Sequence, residues 1–588
     1  MSSSTSLLST TTMKKNKHNR LLLICLSTVL ILAITITIAT SAIATHKHKK
    51  SSSSASRSAS HAILKQSCSS TRFPDLCISS ISTFPDNGVM DRITSQKDVI
   101  EASLNLTKLA VQRSFTDVQK IIHARANLTV REKGALNDCL EMFDETIDEL
   151  RLTEKDLQAY PAKKSLSEQA EDLKILVGAA MTNQETCLDG FSHDEVCRHL
   201  RQTISGGVTH VGRMCSNALA MIKNLTDSDI ATAMTTGSGN RRRLLWSSTE
   251  GDGSFPVWMS AADRRLLQAP SGEVKANAVV AADGSGNYKT VSAAVAASPE
   301  KGSGRYVIKI KAGTYKENVE VGKKKMKLMF IGDGMGKTII TGSRNVVDGS
   351  TTFHSATVAV VGGGFLARDL TFQNTAGPSK HQAVALRVGS DLAAFYRCEI
   401  SAYQDTLYVH SLRQFFRDCR ISGTVDFIFG NSAVVFQSCD ILARRPDAGQ
   451  KNMVTAQGRD DPNEVTGISI QNCRISADGS LEPVKKSFKT FLGRPWKEYS
   501  RTVIMKSVIS DVIDAAGWHE WNGNFALNTL YYAEYMNTGA GAGTAGRVAW
   551  KGYRVLTNAA EAGKFTAGNF ISGGSWLAGT GFPFSLGL

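Results

Sequence analysis

The sequence predicts an all-α helical bundle followed by an all-β parallel β-helix. Apolar residues recur at helical spacing from about residue 62 to residue 228. From residue 273 onward, short strand-like segments recur at intervals of about one β-helix coil. Between these two parts, 229–272 has no periodicity. At 588 residues the chain is too long for one ordinary domain, so two domains are expected.

Residues 1–50 are predicted to be a targeting segment. Basic residues precede an apolar run from Leu21 to Ala44, which ends in small residues that suit signal peptidase. The run is also long enough to span a bilayer, so a cleaved signal peptide and a signal anchor both remain open. Either would deliver the rest of the chain to the lumen or the exterior, and only this segment would touch a membrane.

The helical domain is expected at 62–228, after a serine-rich segment at 51–61 that we interpret as a mobile stalk. Within 138–150 the apolar residues fall on one helix face, and 170–187 has the same pattern. Several such helices with few strand signals indicate a bundle.

Three sequons agree with a secretory route, and all of them lie before residue 230. Each reads Asn-Leu-Thr, which is an acceptor for N-glycosylation in a secreted protein. The candidate glycosylation sites are Asn105, Asn127 and Asn224.

The cysteines of the helical part are predicted to form disulfides. No C-x-x-C pair occurs, so no zinc or other metal site is expected, and an oxidising compartment favours disulfides or buried thiols. The predicted bridges are Cys68–Cys77 and Cys139–Cys187, with Cys197–Cys215 as a third candidate.

The segment 229–272 is interpreted as a linker that a protease cuts. It contains the string Arg-Arg-Leu-Leu twice, and cleavage requires an exposed, extended backbone of this kind. A charged linker without processing is the alternative. The candidate processing residues are Arg241, Arg242, Arg243, Arg264 and Arg265.

The C-terminal half repeats a short alternating strand with an aromatic or aliphatic residue at one end and Ile or Leu at the other. Four of these strands carry a cysteine at the same place, at separations of 21, 20 and 34 residues. Strands in one phase predict a solenoid in which each coil adds a cysteine to a common ladder. A β-sandwich with turns at similar intervals is the alternative.

Two carboxylates and two amides mark a candidate site in these coils. Asp405 and Asp426 are 21 residues apart, and Gln382 lies 23 residues before Asp405. Because residues one coil apart stack on one face, these three residues are expected to line up, with Gln404 beside them. Two carboxylates in partly apolar surroundings suit acid/base or nucleophilic chemistry, since burial and mutual repulsion drive their pKa values apart.

The net charge points to the class of partner. A formal charge of +15 on a secreted chain suggests a polyanion. The basic residues are scattered and no nucleic-acid-binding motif is present, so an acidic polysaccharide is favoured over nucleic acid.

Five motifs of the C-terminal half resemble those of plant pectin methylesterases, in the same order and without departure. They cover about 273–588 and read GTYKE, QAVAL, YQDTLY, DFIFG and LGRPW. The helical part, with TNQETCLDGF at 182–191, is similar to pectin methylesterase inhibitors. Together they match the two-domain precursor of this family.

The resemblance implies a right-handed parallel β-helix with an open cleft, after a four-helix, inhibitor-like pro-domain that restrains it. It implies a secreted cell-wall enzyme, a monomer without cofactor, that releases methanol and pectate from methyl-esterified pectin. Separate inhibitor proteins at the cleft and a processing protease are the further partners expected.

The resemblance also implies roles for individual residues. Asp426 would be the nucleophile, and Asp405 would protonate the departing methanol and then activate water. Gln404 and Gln382 would stabilise the oxyanion, and Arg494 would hold the nucleophile. The substrate-contacting positions would be Thr352, Gln382, Arg494 and Trp496.

A disulfide between Cys419 and Cys439 is expected as well. Their 20-residue step would place them on adjacent coils about 4.8 Å apart, near the Cα separation that a disulfide prefers. The family resemblance supports the pair.

Two other functions fit parts of the pattern. Another pectin-active β-helix enzyme, a lyase or a glycosidase, would need a cluster of acidic residues, and Asp460-Asp461 is the only adjacent acidic pair in the C-terminal part. A non-catalytic module that binds polysaccharide or inhibits an esterase is the other. No Gly-x-Ser-x-Gly elbow is present, so an ester hydrolase on this chain would depend on a carboxylate nucleophile.

Overall fold

The computed structural model describes residues 10–83, 88–161, 165–192, 197–236 and 275–588. The predicted processing residues at 241–243 and 264–265 lie outside the described residues.

Within the described residues, seven helices precede the β-part and three short ones lie within it. They are α1 (Thr10–Cys68), α2 (Pro74–Ser82), α3 (Val89–Arg92), α4 (Gln96–Ala124), α5 (Val130–Ala159), α6 (Leu166–Asp189), α7 (Arg198–Thr236), α8 (Val291–Ala297), α9 (Ala559–Ala562) and α10 (Ala567–Phe570).

Helix α1 contains the apolar targeting segment and continues into the bundle. Its part Leu22–Ala42 is long and apolar enough to cross a membrane, and none of it is buried, which also fits a signal sequence. The backbone of 51–61 belongs to the same helix, so the expectation of a mobile stalk differs from the structure. Serine and alanine there extend a helix already begun by the apolar run, at little cost in helix propensity.

Helices α4 to α7 form the four-helix bundle that the resemblance implies. Each of α4 and α6 packs against both α5 and α7. Capping boxes begin α4 at Ser95 and α5 at Thr129, where each side chain accepts from a backbone N–H that the helix leaves unpaired. Helix α7 ends at Thr236, beyond the predicted boundary at 228.

Both disulfides predicted with definite partners in the bundle are confirmed. Cys68 bonds to Cys77 and ties α1 to α2, while Cys139 bonds to Cys187 and ties α5 to α6. Cys215 carries a buried thiol, so the third candidate bridge is not formed.

The C-terminal part contains short strands, numbered in chain order. They are β1 (Ala278–Val280), β2 (Tyr306–Ile310), β3 (Gly313–Lys316), β4 (Val319–Val321), β5 (Leu328–Ile331), β6 (Thr338–Gly342), β7 (Val358–Val360), β8 (Leu366–Arg368), β9 (Thr371–Asn374), β10 (Leu386–Val388), β11 (Ala393–Tyr396), β12 (Glu399–Ser401), β13 (Leu407–Val409), β14 (Arg413–Arg417), β15 (Arg420–Gly423), β16 (Ile428–Gly430), β17 (Ala433–Gln437), β18 (Asp440–Ala443), β19 (Asn452–Gln457), β20 (Gly467–Gln471), β21 (Arg474–Ala477), β22 (Thr490–Pro495), β23 (Arg501–Met505), β24 (Val508–Ile509), β25 (Tyr531–Tyr535) and β26 (Tyr553–Val555).

These strands form three parallel sheets. Along most of each sheet, a strand pairs with the strand three places further along the chain. The seven-stranded sheet has the order β22-β19-β16-β13-β10-β7-β4, the eight-stranded sheet runs from β24 to β3, and the eleven-stranded sheet from β1 to β26. A chain that visits three sheets in turn and advances one strand per visit is a β-helix. The predicted solenoid is therefore confirmed, and the β-sandwich is excluded.

The interior of the β-helix is a stack of repeated apolar side chains. Phe395, Phe416 and Phe436 occupy one register position, with ring centroids 4.6 and 4.9 Å apart along the stack. A residue with positive φ turns each coil between two sheets, as at Arg397 and Asp418. Residues at equivalent positions of successive repeats in the sequence therefore stack on one another in the structure.

The cysteine ladder is confirmed, but the Cys419–Cys439 disulfide is not. Both side chains are buried thiols, in register with those of Cys398 and Cys473. The Cys419 thiol donates to the carbonyl of Phe395, 3.5 Å away, instead of bonding to its neighbour. Stacked side chains point the same way, whereas a disulfide needs two Cβ atoms directed at each other.

Candidate active site

Asp405 and Asp426 occupy the same position on successive coils. Each stands two residues before a strand of the seven-stranded sheet, and Leu407 pairs with Ile428 in that sheet. Both aspartates have positive φ, 61° and 49°. Aspartate tolerates this backbone region better than most residues, and strained backbone often marks a functional site. The predicted alignment of the two carboxylates is confirmed.

Gln382 is the exception to the predicted alignment. The register pairs Leu386 with Leu407, which places Gln382 opposite Tyr403 and two residues away from the level of Asp405. A shift of two residues keeps a side chain on the same face of a strand. Gln382 and Gln404 therefore still line one cavity with both aspartates.

Arg494 binds Asp426 through two parallel hydrogen bonds. Its Nε donates to Oδ1 at 2.8 Å and its Nη2 to Oδ2 at 2.6 Å. Arg494 lies on β22, two strands away from β16, so it reaches across the sheet to the carboxylate. Its guanidinium carbon lies 4.3 Å from the centre of the Trp521 ring, which fixes the orientation of the fork.

Asp405 is buried, and no arginine or lysine of the described residues makes such a contact with it. Burial, and then the nearby Asp426 carboxylate, raise the pKa of Asp405 well above its ordinary value of 3.8, although Arg494 opposes the shift. The two neighbouring carboxyl groups thus stand in different environments: Asp405 is a buried acid whose raised pKa favours the neutral form, and Asp426 is bound by an arginine.

Two glycines make the close packing around Asp426 and Arg494 possible. A Cβ on Gly423 would lie 2.3 Å from Cβ of Phe427, and one on Gly493 would lie 2.1 Å from Oγ1 of Thr455. Any larger residue would push the Asp426 turn or the Arg494 strand outward.

The remaining predicted substrate residues reach the same cavity. Thr352 and Trp496 both line it, together with the aromatic residues Phe353, Tyr408 and Phe429. Trp496 packs edge-to-face on Phe429, with centroids 6.0 Å apart. The structure thus brings together all seven residues predicted from the sequence for catalysis and substrate contact.

The roof of this cavity is formed by the helical bundle. Thr186 and Asp189 of α6, with Gly190 and Ser192 beyond it, line the enclosed space of about 360 Å³ around the two aspartates. These residues belong to or directly follow the TNQETCLDGF motif. The segment that resembles the inhibitor family therefore lies directly over the predicted catalytic pair.

His410 anchors the roof rather than taking part in a triad. Its Nε2 lies 2.9 Å from Oγ1 of Thr186. Burial, and then repulsion from Arg387, lower the pKa of His410 to about 3. A neutral imidazole is thus available to hydrogen-bond the bundle.

Further polar contacts join the bundle to the β-helix on both sides of the cavity. Ion pairs link Lys497 to Glu185 at 2.5 Å and Arg413 to Asp172 at 2.7 Å. The pair Asp460-Asp461, which was a candidate acidic cluster, instead contacts the bundle: Oδ2 of Asp461 accepts hydrogen bonds from Arg72 and Ser216.

Sequence reasoning missed Trp521, Arg387 and Lys497. Trp521 comes from a distant loop with no local pattern to identify it. Arg387 could have been noticed, because it directly follows QAVAL and interrupts an apolar strand. Lys497 stands beside LGRPW, but only the contact with the bundle shows what it pairs with.

The three sequon asparagines are all exposed on the bundle. Asn105 lies in α4, Asn224 in α7, and Asn127 in the loop between α4 and α5. Each is accessible to the modification predicted for it.

Comparison with known proteins agrees with both halves. Residues 277–574 match the Pectinesterase family model, and residues 62–221 match the model named Plant invertase/pectin methylesterase inhibitor. The chain is 66% identical to Pectinesterase 3 of Citrus sinensis over 528 residues, 90% of this chain and 89% of that protein. It is 64% identical to Pectinesterase/pectinesterase inhibitor 3 of Arabidopsis thaliana over 545 residues, 90% of this chain and 91% of that protein.

A solved structure matches the β-helix part alone. The pectin methylesterase from carrot superposes with a TM-score of 0.53 and 71% sequence identity, covering 54% of this chain and 99% of that one. Almost the whole of that solved chain is therefore accounted for by the β-helix part. The chain belongs to the pectinesterase family, in the two-domain form in which an inhibitor-like helical bundle precedes the enzyme.

Proposed function

We propose that the β-helix domain, residues 275–588, hydrolyses the methyl esters of pectin with Asp426 as the nucleophile. Its carboxylate attacks the ester carbonyl of a galacturonate unit, and a tetrahedral intermediate forms. The bidentate contact with Arg494 supports this role, because its two hydrogen bonds hold the Asp426 carboxylate in one orientation.

Asp405 then acts as the acid and afterwards as the base. As a neutral acid it donates its proton to the departing methoxy oxygen, so methanol leaves and an acyl-enzyme remains. As a carboxylate it takes a proton from the water that attacks this acyl group. Product acid is released and Asp426 returns to its starting form.

Gln382 and Gln404 stabilise the oxyanion of both intermediates. Both glutamines line the cavity that contains the two aspartates, and a side-chain amide N–H can donate to an oxyanion. Losing one such donor typically costs about 100–1000-fold in rate. Thr352 and Trp496 would contact the sugar ring, for which an indole face provides a flat apolar surface.

The observation that carries this assignment is the pair of carboxyl groups one coil apart, of which Asp426 is held by Arg494 through two hydrogen bonds and Asp405 is a buried acid with a raised pKa. A lyase or a glycosidase would not need an arginine fixed on one carboxylate and two amides beside the other. A non-catalytic module would not need to bury an acid at the floor of a cavity.

The bundle acts as an intramolecular inhibitor until the linker is cut. Its α6 residues occupy the space above the aspartates, which a polymer must enter. Cleavage by a secretory-pathway protease at Arg241–Arg243 or Arg264–Arg265 would let the bundle dissociate. Separate inhibitor proteins could then use the vacated cleft, since the bundle itself resembles them.

Secretion to the cell wall completes the proposal. The apolar part of α1 is compatible with a signal sequence, three exposed sequons suit glycosylation, and two disulfides suit an oxidising compartment. The enzyme would act there as a monomer and without a cofactor.

The test is methanol release from esterified pectin by the β-helix domain and its Asp426→Asn variant. Asparagine tolerates the positive φ of this position, so the variant loses the carboxylate without a new backbone strain. We expect turnover to fall by at least about 10⁴-fold with an unchanged melting temperature. Near-normal turnover of the variant would overturn the mechanism.

A further inference from the structure

Another cavity lies outside the catalytic cleft, where the eleven-stranded sheet meets the C-terminal segment and α6. Its volume is about 280 Å³, near the lower end of the sizes found for small-ligand pockets. The residues that line it include Glu171, Arg501, Tyr531, Lys564, Phe565 and Phe570. None of these six lines the cavity around the two aspartates, which precede strands of a different sheet.

Arg501, the first residue of β23, brings a guanidinium group to the wall of this cavity. Its backbone N–H donates to Oε1 of Gln457 at 2.6 Å, but within the described part of the chain its guanidinium forms neither a hydrogen bond nor an ion pair. Gly467 makes room for the stem of this side chain, because a Cβ there would lie 3.0 Å from Cδ of Arg501. The N–H donors of the guanidinium are therefore available to a ligand in the cavity.

The charge of Arg501 is not balanced by a close acid. Burial, and then repulsion from Arg459, lower the pKa of Arg501 to about 9. The Arg459 guanidinium itself donates to the backbone carbonyls of Glu464 and Tyr499, at 2.9 and 3.1 Å, and these carry no formal charge. The carboxylates of Glu171 and Glu464 act on Arg501 only from beyond ion-pair distance. An anion in the cavity would relieve this excess of positive charge.

Lys564 adds a second cation to the same cavity. It is exposed, lies between α9 and α10, and forms no ion pair with any of the described residues. The acid on the cavity wall, Glu171, belongs to the bundle and pairs with Lys174 of its own helix at 2.7 Å. The β-helix domain therefore contributes two unpaired cations to this wall, one from the sheet and one from the C-terminal segment.

Three aromatic rings form the apolar part of the wall. The ring centroids of Tyr531 and Phe565 lie 5.3 Å apart, and those of Phe565 and Phe570 lie 5.6 Å apart. The Tyr531 hydroxyl donates to Glu561 at 2.9 Å, and the guanidinium carbon of Arg554 lies 4.4 Å from the centre of the tyrosine ring. These contacts hold the Tyr531 ring in place, and a flat aromatic ligand can pack against such a row of rings.

We propose that this cavity binds a small aromatic carboxylate, with the carboxylate at Arg501 and Lys564 and the ring against Tyr531, Phe565 and Phe570. A guanidinium binds a carboxylate through two parallel hydrogen bonds, which suits the donors of Arg501. An inorganic anion would use the cations alone, and a neutral aromatic molecule would use the rings alone. The site is separate from the catalytic pair and adds a ligand to the proposed function.

Glu171 sets the bundle against this ligand. Its carboxylate lies on the wall of the cavity, where it repels a second carboxylate. Since Glu171 belongs to α6, displacement of the bundle should raise the affinity for the ligand. Linkage is reciprocal, so the ligand should weaken docking of α6 by the same factor.

The experiment titrates the full chain with cinnamate and follows binding by calorimetry. Cinnamamide is the neutral analogue of the same shape, and acetate is a carboxylate without a ring. The variants are Arg501→Gln, Lys564→Gln and Glu171→Gln. Arg420→Gln is the matched control, because Arg420 is exposed on β15 in the eight-stranded sheet and loses the same charge away from the cavity. Melting temperatures establish that each variant is folded.

We expect Arg501→Gln to weaken cinnamate binding about tenfold or more, and Lys564→Gln about two- to fivefold. Glu171→Gln should strengthen binding about two- to fivefold, which a purely structural role of this residue would not do. Cinnamamide and acetate should each bind about tenfold or more weakly than cinnamate.

Equal binding of cinnamate and cinnamamide, or an equal loss in Arg420→Gln, would overturn the proposal, as would a parent that does not bind cinnamate at millimolar concentration. Lys564 is exposed and Glu171 is half-buried, so the test holds even if Arg501→Gln fails to fold. Unchanged affinity in both of these variants would then contradict the site. Methanol release does not enter the measurement, so the site and the proposed ester hydrolysis can each fail without the other.

Discussion

Arg494 and Asp426 form a two-point contact across two strands of the seven-stranded sheet, at 2.8 and 2.6 Å. One carboxylate oxygen pairs with Nε and the other with Nη2, so the plane of the carboxylate is fixed. In the proposed mechanism Asp426 is the nucleophile, and a carboxylate held in this way needs no further ordering when substrate enters, which lowers the entropic part of the barrier.

Replacement of Arg494 should show how much this contact contributes. Arg494→Lys keeps a charge but cannot make two parallel bonds, so we expect kcat to fall about tenfold. Arg494→Gln also removes the charge and should cost about 100-fold or more. Initial rates of methanol release at saturating pectin check both values. Equal rates for parent and Arg494→Lys would show that the geometry of the fork is unimportant.

Asp405 should set the alkaline limit of activity. In the proposed mechanism the acid form of Asp405 protonates the departing methanol, and its pKa is raised, so kcat should decline once the pH passes that raised value. Asp405→Asn keeps the backbone conformation but carries no transferable proton. We expect a rate at least about 100-fold lower and a profile without the alkaline decline. A variant that retains this decline would assign it to another group.

The alignment of the two aspartates was predictable because their spacing equals the length of the coil between them. The same argument gave the wrong level for Gln382. It lies 23 residues before Asp405, whereas residues that pair between β10 and β13 are 21 residues apart. Because the difference of two residues is even, the Gln382 side chain still lies on the predicted face. Spacing alone gives the face of a strand more reliably than the level along it.

The cysteines show a second limit of sequence reasoning. Bridges within the bundle join different helices, and their pairing was predicted correctly. Cys419 and Cys439 also lie at a suitable distance, but their parallel directions in the ladder exclude the bond, and only coordinates contain that information.

The roof of the cavity could not be derived from any local pattern. Thr186 lies 222 residues before Tyr408, which it approaches to 3.4 Å. The likeness of α6 to inhibitors predicted restraint of the enzyme, but the contacts of Lys497 and Arg387 depend on how the two domains dock.

Docking of the bundle should weaken as the pH rises. Burial, and then repulsion from Glu141, raise the pKa of Glu145 from 4.5 to about 8. Burial, and then repulsion from Asp461, raise the pKa of Glu464 from 4.5 to about 8 as well. Both groups lie at the contact, so the docked state binds protons that the separated domains lack. Docking is therefore strongest below about pH 4.5 and weakens as the pH rises to about 8.

Affinity between separately produced bundle and β-helix domain, followed over this pH range, measures the effect. We expect Kd to rise by up to about tenfold per pH unit for each group, and Glu145→Gln to flatten the slope. Glu154→Gln is the matched control, because Glu154 pairs with Lys108 within the bundle. A pH-independent Kd in the parent would contradict the assignment.

The Cys139–Cys187 bridge should stabilise the bundle more than Cys68–Cys77. It spans 48 residues against 9, and a longer loop loses more entropy in the unfolded chain when it is closed. We expect Cys139→Ser with Cys187→Ser to lower the free energy of unfolding by about 2–5 kcal/mol, measured by chemical denaturation. A larger loss from the matched Cys68→Ser and Cys77→Ser variant would contradict this ranking.

The central claim is that one chain carries both the enzyme and the cover of its catalytic pair. The most direct test compares methanol release by the β-helix domain with that of an uncut chain in which Arg241–Arg243 and Arg264–Arg265 are alanine. Because the bundle belongs to the same chain, its effective concentration at the cleft is on the order of millimolar, so even micromolar affinity would occupy the cleft. We predict activity about 100-fold or more below that of the β-helix domain. An uncut chain as active as the isolated domain would contradict the account.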